Sequence, residues 1–122
     1  MKSNLQSNIN NEDPLLGSPD WGASKEWFYK DLKVHFRVSG EESSTPIVLL
    51  HGFGASSDHW RNNAEIFAAE GFRVYGIDLI GFGRSEQNLQ SKIKYLDNRF
   101  WANQLASFLD EIVEIQKNGK VI

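Results

Sequence analysis

The stretch PIVLLHGFGASSDHW, Pro46 to Trp60, limits what this chain can fold into more than any other. An unbroken apolar run, Ile47 to Leu50, leads straight into His51-Gly52-Phe53-Gly54. Such a run without alternation reads as a strand covered on both faces. The glycines then permit a sharp turn, and Ser56, Ser57 and Asp58 stand where a helix would be capped. Strand, glycine turn and helix start open a unit in which the next strand lies parallel to the first.

The flanking segments extend this pattern. In EWFYKDLKVHFRVSG, two β-prone runs surround Lys30-Asp31. Val34, Phe36 and Val38 alternate with His35, Arg37 and Ser39, so a half-buried hairpin is predicted, with His35 on its solvated face. Trp60, Ala64, Phe67 and Ala68 recur at helical spacing, with Asp58 as N-cap and Gly71 as stop. FRVYGIDL is the next strand, and IGFGRS a second glycine turn. Trp101, Leu105, Phe108, Leu109, Ile112 and Ile115 mark one face of a further helix, with Asp110, Glu111 and Glu114 largely opposite. Lys117-Asn118-Gly119 ends it, and Lys120-Val121-Ile122 opens another apolar run. The expected fold is α/β: an antiparallel hairpin leading into a mainly parallel sheet with flanking helices. Residues 1–24 are rich in Asn and Ser and read as a disordered polar tail, although Leu15, Leu16 and Trp21 could dock. Residues 25–122 form the domain.

Composition removes several classes of function. The chain has 122 residues, room for one ordinary domain, and 13 basic against 16 acidic residues give a net charge of −3. No basic patch points to nucleic acid. The absence of Cys excludes disulfides and thiolate metal sites, and no metal or cofactor is expected. No apolar run is long enough to span a bilayer, and no signal peptide is evident. By elimination a cytoplasmic location is expected.

Three chemistries compete for the glycine loop. A dinucleotide fingerprint would use Gly52-Phe53-Gly54 with Asp78 at the end of the next strand, but Ser57 stands where its third glycine belongs. A local nucleophile pair would join Ser56 or Ser57 to His51 or His59, but needs a third group to orient the base. Helix capping accounts for Ser56, Ser57 and Asp58, and solvation for His59. An oxyanion loop needs only backbone N–H donors at a sharp turn before a helix. There the N–H of Phe53 is the donor, Gly52, Phe53 and Gly54 lie against the substrate, and His51 braces the loop.

HGFGASSDHWRNN followed by VYGIDLIGFGRSE resembles the α/β-hydrolase fold family, over about Lys25 to Ile122. The resemblance implies an oxyanion loop at His51-Gly52-Phe53 after the third strand, with Phe53 giving the backbone donor. It implies a D-x-x-G-x-G-x-S turn at Asp78, Gly81, Gly83 and Ser85, the glycines at positive φ and the other two bonding the loop backbone. Trp60-Arg61 resemble the family's usual helix start. The loop and last helix also look like members acting on chlorophyll-type esters. Many dehalogenases carry Asn after H-G, where this chain has Phe53.

The family's G-x-S-x-G elbow, catalytic acid and histidine are absent from the 122 residues. The family elbow follows the strand that Lys120-Val121-Ile122 begins. The expectation is therefore an N-terminal portion of a hydrolase of apolar ester-like substrates, inactive by itself and prone to aggregate. A non-catalytic binding module is the competing class.

Overall fold

The computed structural model describes residues 20–89, 96–115 and 119–122. Strands β1 (Ala23–Tyr29) and β2 (Leu32–Ser39) form the expected hairpin. Its turn is the pair Lys30 and Asp31, at φ 50° and 63°. Two successive positive φ angles match the right-handed twist of the strands they join. β3 (Thr45–Leu50) and β4 (Phe72–Ile77) are parallel neighbours, and β4 also pairs antiparallel with β2. The sheet order is β1-β2-β4-β3. On the outer side of β3, Val48 N–H donates to Ile122 O at 2.7 Å and Ile122 N–H to Pro46 O at 2.9 Å. Residues 120–122 thus lie against β3 opposite β4.

The first predicted helix forms as two pieces. A 3₁₀ turn spans Ser57–Asn62, and helix α1 spans Ala64–Ala69. Ser56, not Asp58, is the cap: its Oγ accepts from Asp58 N at 3.2 Å. Asp58 instead turns its carboxylate to Arg37, 2.6 Å away. Helix α2 spans Asn98–Phe108 and is capped by Asp97, whose Oδ1 accepts from Phe100 N at 3.0 Å. It widens into a π turn at Leu109–Val113, which brings Val113, rather than Ile112, fully into the core. Glu111 accepts from Trp27 Nε1 at 3.1 Å, so it secures the helix end to β1. Gly119 N–H closes the segment onto Ile115 O at 2.8 Å; Lys117 and Asn118 lie outside the described residues.

Two apolar layers sandwich the sheet. Val34, Phe36, Val38, Tyr75 and Ile77 pack against Phe108 and Val113. Phe108 is the hub, with edge-on contacts to the rings of Phe36, Trp27 and Tyr75 at 5.1, 5.6 and 6.0 Å. On the other face Trp21, Ala64 and Val74 form a smaller cluster.

That second layer corrects two expectations. The fold reaches back past residue 25: Trp21 is 2% exposed, donates from Nε1 to Ser57 O at 2.9 Å, and lies over Gly76. A Cβ on Gly76 would come within 2.6 Å of the Trp21 ring, so only glycine admits this contact. Residues 1–19, with Leu15 and Leu16, lie outside the described residues. The polar face of β2 is also buried, not solvated. His35 is 6% and Arg37 1% exposed, because Trp21 and the two glycine turns cover them. Alternation distinguishes the two faces of a strand, but water on one of them is a property of what packs there.

Candidate active site

The two glycine turns meet where β3 and β4 end, and Asp78 joins them. Its Oδ1 accepts from Ser57 N at 2.5 Å, while Oδ2 accepts from Arg84 N at 3.1 Å and from His35 Nδ1 at 2.7 Å. Its carbonyl accepts from Ser85 Oγ at 2.6 Å, and the same Oγ accepts from His35 N at 2.9 Å. Burial alone would raise the Asp78 pKa, but the bonds from His35, Ser57 and Arg84 outweigh it and hold it at about 2. Asp78 therefore carries a buried negative charge that ties both loops to β2. With its oxygens so engaged it cannot serve a ribose, which removes the dinucleotide reading.

His51 braces the first loop. Its Nε2 accepts from Leu79 N at 3.0 Å, so Nδ1 bears the proton and donates to Gly52 O at 2.8 Å. Both ring nitrogens are thus taken by backbone, and His51 is no base for Ser56 or Ser57. His59 is exposed, its ring edge-on to Trp60, and does not complete such a pair. Gln104 is a site residue that the sequence reading passed over. It is fully buried, accepts from Ile80 N at 3.0 Å and donates to Asp78 O at 3.4 Å, fixing the end of β4. Its place three residues after Trp101 and four before Phe108 sets it on the apolar stripe of α2, the one available signal.

Gly81 and Gly83 have φ of 96° and 56°. A Cβ at Gly83 would stand 2.6 Å from the Asp78 carboxylate and 2.9 Å from Ser56 Cβ; at Gly81 it would meet only Leu96 Cδ2, at 3.0 Å. Alanine at either is expected to destabilise by more than ~1 kcal/mol, with the larger loss at Gly83. Urea midpoints test this, and unchanged values for both variants would show that the turn is not strained.

Beside this brace lies an open cleft of about 440 Å³, lined by Leu50, His51, Gly52, Phe53, Leu79, Phe82, Asn98, Trp101, Ala102 and Leu105. Its walls are nearly all apolar. The rings of Phe53 and Phe82 lie 5.2 Å apart, and those of Phe82 and Trp101 5.6 Å. Phe53 is 89% exposed, and among the described residues nothing accepts a hydrogen bond from its N–H. Gly54 has φ of 78° and turns the chain away toward the 3₁₀ segment. No cluster of metal-ligating side chains occurs among the described residues. No helix among them is long and apolar enough to cross a membrane.

The profile of the alpha/beta hydrolase fold matches residues 45–122, which include both glycine turns. The chain belongs to the alpha/beta hydrolase fold family. Within the family it is 35% identical over 82 residues to a haloalkane dehalogenase of Psychrobacter cryohalolentis, covering 67% of this chain and 26% of that one. It is 33% identical over 66 residues to the pimeloyl-[acyl-carrier protein] methyl ester esterase of Photorhabdus laumondii, covering 54% of this chain and 25% of that one. The tetrameric haloalkane dehalogenase DpaA of Paraglaciecola agarilytica shares the fold, with a TM-score of 0.68 and 24% identity over 80% of this chain and 33% of that one. The chain thus spans about a quarter of the length of these curated relatives. The likeness to chlorophyll-ester members finds no support in them.

Proposed function

We propose that this chain carries the oxyanion-loop portion of a hydrolase that cleaves an ester or related bond in an apolar substrate. The nucleophile, its acid and its histidine would come from residues outside these 122. One observation carries the reading: the Phe53 N–H has no acceptor among the described residues and belongs to a residue lining an apolar cleft. A backbone donor needs no proton of its own to move. It stabilises charge that develops on a substrate oxygen, and does so most strongly where water is excluded. His51 and Gly52 hold the donor in place, and Phe82 and Trp101 offer the apolar group a wall. Phe53 in place of Asn favours an ester over a haloalkane.

Sequencing the gene beyond codon 122 tests the proposal. An in-frame G-x-S-x-G or G-x-D-x-G shortly after Ile122 is the expected result. A degenerate elbow would favour the binding-module reading, and a stop codon would overturn the hydrolase reading.

A further inference from the structure

A second constellation lies outside the cleft and does not depend on the oxyanion loop. Ser24, on β1, pairs across the hairpin with Arg37, next to His35 on β2. Its Oγ is 3.0 Å from His35 Nε2, and His35 Nδ1 is 2.7 Å from Asp78 Oδ2. Asp78 is 1% and His35 6% exposed, whereas Ser24 is exposed. A carboxylate, an imidazole and a hydroxyl therefore run in line from the interior to the surface.

The proton positions follow from the partners. The Asp78 carboxylate can only accept, so His35 Nδ1 donates to it, and in the neutral ring the Nε2 lone pair then faces Ser24. Ser24 then donates its hydroxyl proton to Nε2. A nucleophilic hydroxyl needs this pairing, with a base in hydrogen-bond reach and a third group orienting the base. Arg37 Nη1 lies 3.4 Å from Ser24 Oγ, so a cation stands beside any charge developing there. It is also bound to Asp58 at 2.6 Å, which holds the guanidinium in place.

We propose that Ser24 is a base-activated nucleophile, oriented through His35 and Asp78, that takes up the acyl group of small activated esters. Ser24 Oγ bonds to the carbonyl carbon, its proton passes to His35 Nε2, and the ester C–O bond breaks with departure of the alkoxide or phenoxide.

A short alkyl fluorophosphonate is a suitable probe. With it the Oγ–P bond forms, the P–F bond breaks, fluoride leaves and the proton goes to His35. The 122-residue chain would be incubated with the probe, digested, and its adducts assigned by mass spectrometry. The expected result is an adduct on Ser24 forming at least ~100-fold faster than on the exposed Ser43, the lower end of what a positioned general base supplies. Ser24→Ala should abolish that adduct, and His35→Gln should bring Ser24 down to the rate of Ser43. Near-ultraviolet circular dichroism reports whether each variant folds. If His35→Gln does not fold, the Ser24-to-Ser43 ratio in the unaltered chain decides. Equal labelling of the two serines, or full Ser24 labelling in folded His35→Gln, would overturn the proposal.

Discussion

Proline at position 53 is expected to lower turnover on the order of a hundredfold or more in an active hydrolase that contains this chain, whereas alanine there should cost far less. The two substitutions separate the backbone from the side chain. Alanine removes a ring that is 89% exposed and touches mainly Phe82, so little packing is lost and the N–H remains. Proline removes the N–H itself. Replacing the Gly52–Phe53 amide by an ester provides a second test, because it deletes the proton without imposing the proline ring. Initial rates on a nitrophenyl ester, with folding checked by circular dichroism, give the comparison. Similar activity for folded alanine and proline variants would sink the oxyanion assignment.

Asp78→Asn should produce the largest loss of stability, on the order of 3–5 kcal/mol, because it leaves a buried imidazole and two loop N–H groups without their anion. It should also change the dependence on pH. Asp78 has a folded pKa of about 2, against roughly 3.9 in an unfolded chain. The folded state therefore binds this proton less readily. The stabilisation is fully present above about pH 4 and is lost as pH falls through about 2, amounting to roughly 2–3 kcal/mol over that window. Urea melts of the two proteins between those values should show a steep acid limb in the unaltered protein and a shallower one in the asparagine variant. Parallel limbs would show that Asp78 does not carry this charge.

The parts of the fold that rest on local chemistry were legible from the residues alone. Lys30-Asp31 marked the hairpin turn, the run Ile47 to Leu50 a strand leading into the first glycine turn, and IGFGRS the second glycine turn, whose positive φ at Gly81 and Gly83 the family resemblance implied. Positions set by distant partners were not. His35 and Arg37 alternate with apolar neighbours as solvated residues do. Their burial depends on Asp78, Asp58 and Trp21, each far along the chain. Trp21 sits in a polar stretch whose composition argues for disorder, yet its ring over Gly76 and its hydrogen bonds to Ser57 and Arg37 fasten it. At the candidate site, the loop itself could be read from His51-Gly52-Phe53. The Ser24–His35–Asp78 line could not, since strand pairing brings those residues together without any motif.

The strand order β1-β2-β4-β3 also shapes how the molecule comes into being. β1 and β2 are joined by a two-residue turn and can pair within roughly 1–10 μs of leaving the ribosome. β3 is made next but has no seat, because the strand between it and β2 is β4, which follows later. At about 5–20 residues per second, the segment from Leu50 to Ile77 takes roughly one to five seconds to synthesise. For that interval Ile47 to Leu50 is an apolar strand without a neighbour on either edge, open to chaperones and to other nascent chains. Arrival of β4 closes the gap on both sides at once, pairing with β2 and β3 together. The rate at which ribosomes traverse codons 51 to 77 therefore governs how long β3 lacks its inner neighbour, while its outer edge waits for Ile122.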